Sequence, residues 1–216
     1  MKRYIKSAVV DVRDESFDVK IDIASNPATR IRVLEELAKA ETDSYILSAL
    51  AMNPNIPEDI ARRLASNSYY LVRRNLAENP STPIDVLQKL SRDRDPEVRM
   101  CLAASRNTPA EILAKLSWDK DADVMLIVAS NPNTSADVLD YMSNYTSPGI
   151  VLRVALNENT PVSALSRLAK DFYASIREAV ARNTNTPTEV LRDLAEDGDS
   201  GVRIAAIHAL ESRQEE

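Results

Sequence analysis

Apolar and polar positions along this chain recur with a period of 26 residues. Counting back from Asn183 in steps of 26 reaches Asn157, Asn131, Ser105, Asn79 and Asn53, and one step of 27 reaches Asn26. Relative to this position 0, position −7 is β-branched in every copy: Val19, Ile46, Val72, Val98, Val124, Ile150, Ile176 and Val202. Position −3 is Ile, Leu, Val or, once, Ala206, and position −2 is Ala from Ala24 to Ala181. Positions +8 and +11 are nearly all Leu, as in Leu34/Leu37, Leu87/Leu90, Leu113/Leu116 and Leu191/Leu194. Spacings of three and four within each cluster predict two amphipathic helices per repeat. Strict alternation is missing, so no sheet is expected. Such a unit buries its apolar face only against its neighbours, which predicts an all-α solenoid of about seven and a half two-helix repeats. Residues 1–15 read as an atypical N-terminal cap. Residues 16–216 read as the solenoid, ending in a half repeat with a polar tail.

Helix ends carry their own signals. Position −10 is Ser16, Asp43, Asp95, Asp121, Ser147 or Asp199 in six copies, which predicts the N-cap of the first helix. Thr29, Thr82, Thr108, Thr134, Thr160 and Thr186 at +3 predict the N-cap of the second, with Pro at +4 in Pro57, Pro83, Pro109, Pro161 and Pro187. Thr108 with Glu111 and Thr186 with Glu189 have capping-box spacing. Pro27, Pro54, Pro80 and Pro132 follow position 0 and stop the first helix there. Asn tolerates the left-handed conformation and bonds local backbone, so its repetition reads as a turn device. The first helices are short, and part of them is compatible with 3₁₀ geometry.

The segment Tyr173…Ile176-Arg177…Val180-Ala181…Asn183…Thr186-Pro187…Val190-Leu191…Leu194-Ala195 resembles the leucine-rich-repeat variant family. The match covers roughly residues 17–209, with Tyr173 where the family pattern has Asp. The resemblance implies a right-handed superhelix of alternating α and 3₁₀ helices, without sheet; the family's units are usually a little shorter, which leaves α/α pairs open for this chain. The first described member carries an iron–sulfur cluster on N-terminal cysteines. This chain has Cys101 alone, so no cofactor carries over. Asp-x-x-Val-Arg is shared with HEAT repeats, the second fold candidate.

Composition narrows the chemistry. Hydrophobic residues make up 44% of the chain and aromatics 5%, so the core is aliphatic. The net charge of −6 argues against general affinity for nucleic acid or anionic membrane. No apolar run has the length of a membrane span, and Ala8-Val9-Val10 is too short for a signal peptide, which gives a cytoplasmic expectation. His208 is the one histidine, so a Ser-His or Cys-His pair has a single possible partner. Metal-ligand spacing, a P-loop and a dinucleotide fingerprint are all missing. The chain reads as a non-enzyme without metal or cofactor.

Three surfaces remain as candidates. The first is a cationic ladder at −6: Lys20, Arg73, Arg99, Arg177 and Arg203, interrupted by Met125 and Val151. At about 100° per residue, −6 falls inside the buried arc. The structural reading therefore packs each stem on the core and sends the guanidinium to caps or carbonyls. The alternative is a phosphate track. The second surface is apolar, at positions −5 and −1: Met100, Leu126, Leu152 and Leu156. The third comprises corner aromatics, among them Trp118 and Tyr145, with Phe17, Tyr45, Tyr69, Tyr70, Phe172 and Tyr173. Core filling and wedging between repeats are the competing structural explanations for the last two. The leading functional reading is a scaffold binding a protein or peptide through Met100, Leu126, Leu152, Leu156, Trp118 and Tyr145. The alternative is nucleic-acid binding through the Arg ladder and aromatic corners.

Overall fold

A computed structural model describes residues 12–213. Fifteen α-helices and no strand occur among these residues, in two compact units divided after Leu102. The first unit contains α1 (Phe17–Ser25), α2 (Ile31–Ala40), α3 (Ser44–Met52), α4 (Glu58–Leu64), α5 (Tyr70–Glu78), α6 (Ile84–Leu90) and most of α7 (Pro96–Ala104). The second contains α8 (Ala110–Leu116), α9 (Ala122–Ser130), α10 (Ala136–Met142), α11 (Pro148–Leu156), α12 (Val162–Leu168), α13 (Ala174–Arg182), α14 (Thr188–Leu194) and α15 (Ser200–Ser212). The expected N-terminal cap over residues 1–15 lies largely outside the described residues, as does the end of the polar tail.

Odd-numbered helices are the first helices of each repeat and even-numbered ones the second. Most first helices have nine residues and most second helices seven. Both are shorter than the roughly 12–15 residues that hold a helix in isolation, so packing sustains them. Both are α; the 3₁₀ character is confined to bonds at their ends, such as Asn79 N–H to Leu76 O and Val86 N–H to Pro83 O. In the first unit α1, α3 and α5 pack side by side; in the second, α9, α11, α13 and α15 do so. Buried Ala at −2 permits this approach, because a larger side chain would hold neighbouring first helices apart. Leu34, Leu37, Leu50, Leu76 and Leu90 fill the first unit, and Ile112, Leu113, Leu116, Leu139, Met142 and Ile150 the second. Each contributes roughly 1.5–3 kcal/mol on burial.

The capping expectations need revision. Asp43, Asp121 and Asp199 accept backbone N–H groups of the first turn as expected, but Ser16 and Ser147 make no such bond. The second helices are not capped by Thr. Their N-caps are Pro57, Pro83, Pro109, Pro161 and Pro187, with Ser135 and Arg30 in the other copies. Thr instead turns back. Thr82, Thr134, Thr160 and Thr186 are buried and donate Oγ1–H to the −3 carbonyls of Leu76, Val128, Val154 and Val180 at 2.5–2.7 Å. The hydroxyl thus closes the C-terminal end of the preceding helix, where carbonyls lack helical donors.

Position 0 also departs from expectation. Asn79, Asn157 and Asn183 are extended, with φ near −74° to −76°, rather than left-handed. Each Oδ1 accepts the N–H two residues on, which is the turn role. Each Nδ2 then crosses to the preceding repeat. Asn157 donates to Ala129 O at 2.8 Å and Asn131 O at 3.0 Å; Asn183 donates to Ala155 O and Asn157 O in the same way. Asn79 and Asn53 repeat the pattern in the first unit. The +2 side chain adds a parallel row: Asn55, Ser81, Asn133, Asn159 and Asn185 donate to the +1 carbonyl one repeat back. The repeated Asn is therefore a buried inter-repeat ladder as well as a turn.

Candidate functional site

The −6 cations are anchored by geometry. Arg73 sits on α5 with its stem in the core, and its Nε and Nη2 donate to both carboxylate oxygens of Asp93 at 2.7 and 2.9 Å. Its Nη1 donates to the carbonyls of Asn67 and Ser68. Arg177 copies this arrangement with Asp197 and the carbonyls of Asp171 and Phe172. Arg99 reaches Asp93 O, and Arg203 reaches the carbonyls of Asp197 and Gly198. Lys20 pairs with Glu41 at 3.3 Å. The two carboxylates, Asp93 and Asp197, lie two residues before the caps Asp95 and Asp199. Burial pushes the Asp93 carboxyl upward, but Arg73 and the Asp95 N–H outweigh it and hold it below the usual range. Arg177 lowers Asp197 in the same way. These guanidinium groups tie corners to first helices and one repeat to the next.

The apolar and aromatic candidates divide by element and unit. Met100 stands half-buried on α7 in the first unit. Leu126 on α9 and Leu152 on α11 are half-buried in the second, and Leu156 at the end of α11 is 45% exposed. Leu126 lies beside Gly149, where an added Cβ would be 3.8 Å from its Cδ1. Leu126 therefore faces the seam between α9 and α11.

Trp118 and Tyr145 come from successive corners of the second unit and meet through Tyr141 on α10. Trp118 stacks on Tyr141 at 4.4 Å with 29° between planes, and Tyr145 meets Tyr141 edge-on at 5.4 Å. Tyr145 donates its hydroxyl to Ser117 O at 2.7 Å across the repeat. Burial, with the neighbouring Tyr141, pushes its phenol up to about 12, so it remains a donor. Trp118 is 66% exposed and Tyr141 40%. The cluster is a fixed aromatic ledge facing water. Tyr141 was not a sequence candidate; it lies on α10 while Tyr145 lies in the following corner, so no helical spacing pointed to their contact. Phe172 pairs edge-on with Tyr173 at 5.3 Å and is 90% exposed. In the first unit Tyr45, Tyr69 and Tyr70 form another edge-to-face chain.

Cys101 is half-buried beside Arg74, whose Nε lies 3.1 Å from its sulfur; burial pushes the thiol up, away from the thiolate. Among the described residues no three His, Cys, Asp or Glu side chains converge as a metal-binding group, and no helix is long and apolar enough to cross a membrane.

No protein-family model matches the chain, and no curated protein does. Among solved structures it is similar to a leucine-rich repeat variant with a novel repetitive structural motif. The two are 23% identical over 89% of this chain and 81% of the other, with a TM-score of 0.65. The chain thus has the fold of that variant, a helical repeat solenoid. An engineered protein, 20% identical over 90% of this chain and 73% of its own, has a TM-score of 0.44. Human deoxyhypusine hydroxylase, 16% identical over 92% of this chain and 96% of its own, has a TM-score of 0.40.

Proposed function

We propose that this protein is a non-catalytic repeat scaffold that binds a protein or peptide. The observation that carries this reading is the Trp118–Tyr141–Tyr145 ledge. Three rings are held by stacking and by the Tyr145 hydrogen bond while much of the first two remains open to water. Stacking of this kind contributes about 0.5–1.5 kcal/mol per pair, enough to orient rings before a partner arrives. Pre-oriented aromatics lose little entropy on binding, which is why they anchor interfaces. Leu156 adds exposed apolar surface, while Met100, Leu126 and Leu152 offer only partial faces. The nucleic-acid alternative loses its main support, because the guanidinium groups of Arg73 and Arg177 are already engaged by carboxylates and carbonyls.

The test is affinity capture from a cell extract with the wild type, with Trp118→Ala and with Leu126→Asp/Leu152→Asp. Loss of the same specific proteins from the Trp118→Ala capture is expected. Identical captures by wild type and equally folded variants would remove these residues from the binding surface.

A further inference from the structure

A groove of about 410 Å³ in the first unit is lined by Ser66, Asn67 and Ser68 from the corner after α4 and by Lys89, Arg92 and Arg94 from the end of α6 and the corner after it. Arg73 and Asp93 form its floor and neutralise each other through two hydrogen bonds. None of the other three cations forms a close ion pair among the described residues, though the charge of Arg94 also acts on Asp93. Lys89 Nζ donates to Ser66 Oγ at 2.5 Å, and Arg94 Nη2 to Ser68 O at 3.0 Å. The Arg92 guanidinium, the Asn67 side-chain Nδ2 and the Ser68 hydroxyl donate to nothing among the described residues.

Helix ends explain only part of this charge. The groove lies where α4 and α6 terminate, and each helix C-terminus carries about half a negative charge. Two ends offset about one cation and leave roughly two positive charges over. A phosphate monoester carries about −1.5 to −2 at neutral pH, so it matches that excess, whereas a single carboxylate leaves a surplus. The remaining donors suit phosphate oxygens, which accept paired guanidinium N–H groups. The arrangement is also local. Cations occupy +10, +13 and +15 together only in the copy beginning at Asn79, as Lys89, Arg92 and Arg94. The preceding copy has Arg63, Ser66 and Ser68, and the following one Lys115, Trp118 and Lys120. Arg63 is engaged by the Ala38 carbonyl and no other copy gathers three cations at these positions, so the cluster suits one dianion better than a polynucleotide track. We propose that this groove receives a phosphorylated serine or threonine side chain of a partner protein, a recognition mode built on clustered arginines.

The experiment uses the full chain and amide chemical-shift titration. The probes are the capped pentapeptide Ala-Ala-Ser-Ala-Ala with and without phosphate on its serine, inorganic phosphate, and a short single-stranded oligonucleotide. The phosphorylated peptide is expected to shift the amides of residues 66–68 and 89–94 saturably, and the unphosphorylated peptide to leave them in place. Inorganic phosphate should shift the same amides with weaker affinity. Arg92→Gln/Arg94→Gln should weaken phosphopeptide binding by about tenfold or more, as expected for losing charge-assisted hydrogen bonds, with thermal unfolding unchanged. The proposal is overturned by unshifted groove amides, by equal shifts from both peptides, by inorganic phosphate binding as tightly as the phosphopeptide, or by tighter binding of the oligonucleotide. Any of these leaves the Trp118 reading untouched, because that ledge belongs to the second unit.

Discussion

Replacing Asn157 by Ala tests the inter-repeat ladder directly. The substitution deletes Nδ2 bonds to Ala129 O and Asn131 O and an Oδ1 bond from Asn159 N–H. Their costs differ. Ala129 lies in the last turn of α9, where carbonyls lack helical donors, so its buried oxygen loses its partner at about 1–3 kcal/mol. Asn131 O keeps the Thr134 N–H at 3.1 Å, so losing the second donor costs only about 0.5–1.5 kcal/mol. Asn159 is exposed, and water replaces the third bond. Together these come to about 1.5–4.5 kcal/mol of destabilisation. Asn157→Asp should cost more, because a carboxylate oxygen then faces two carbonyl oxygens. Urea denaturation followed by far-ultraviolet circular dichroism measures both, with an unchanged m-value marking a stability effect. A loss below about 0.5 kcal/mol for Asn157→Ala, typical of neutral surface changes, would refute the argument.

Other expectations follow from the same geometry. Thr160→Val should destabilise by about 0.5–1.5 kcal/mol in the same urea assay, since Val154 O keeps the Asn157 N–H, and Thr160→Ser should recover much of the loss. Arg73→Ala leaves the Asp93 carboxylate buried without its partner and should cost about 3–5 kcal/mol; Arg73→Ala/Asp93→Ala should cost less than that, or the pair is not coupled. Asp93 and Asp197 have folded values lowered by their arginines. Their contribution is therefore complete above the unfolded carboxylate range near pH 4 and is lost as pH falls from there through the folded values. Denaturation midpoints at pH 3 and pH 6 should differ in wild type and differ less in Asp93→Asn/Asp197→Asn. Trp118 is the one tryptophan, so acrylamide should quench it readily, and a partner covering the ledge should protect it.

The repeat period, the two-helix unit and its aliphatic core were legible because burial of a stacked unit imposes the same spacing on every copy. Ala at −2 and Leu at +8 and +11 left no other consistent arrangement. The polar positions were harder. Thr before Pro satisfies two structural roles equally well, N-cap or C-terminal closure, and the distinction depends on which backbone groups the folded chain brings near its hydroxyl. The Asn rows were misread as local because periodicity records spacing along the chain and does not state that residue 157 lies beside residue 129. Position −6 was better determined, since the helical wheel alone placed those stems in the buried arc. The aromatic ledge was half visible: Trp118 and Tyr145 were evident as corner residues, but Tyr141 links them only through tertiary packing.

One copy is a residue longer than the others, and the ladder ignores the difference. Asn53 follows Asn26 by 27 positions yet donates to Ala24 O and Asn26 O as its counterparts do 26 apart. The extra length lies with α2, which has ten residues where later second helices have seven. Asn pairing is thus set by two carbonyls at the end of a first helix, and a residue added near the end of the second helix leaves it intact. For the gene, unequal crossover at matching points between copies that carry the Asn would join donors to acceptors and change only the number of repeats; the copy with Ser105 at this position lacks the amide donor. For the engineer, the end of the second helix, where α2 runs on to Ala40, is the place to add a residue.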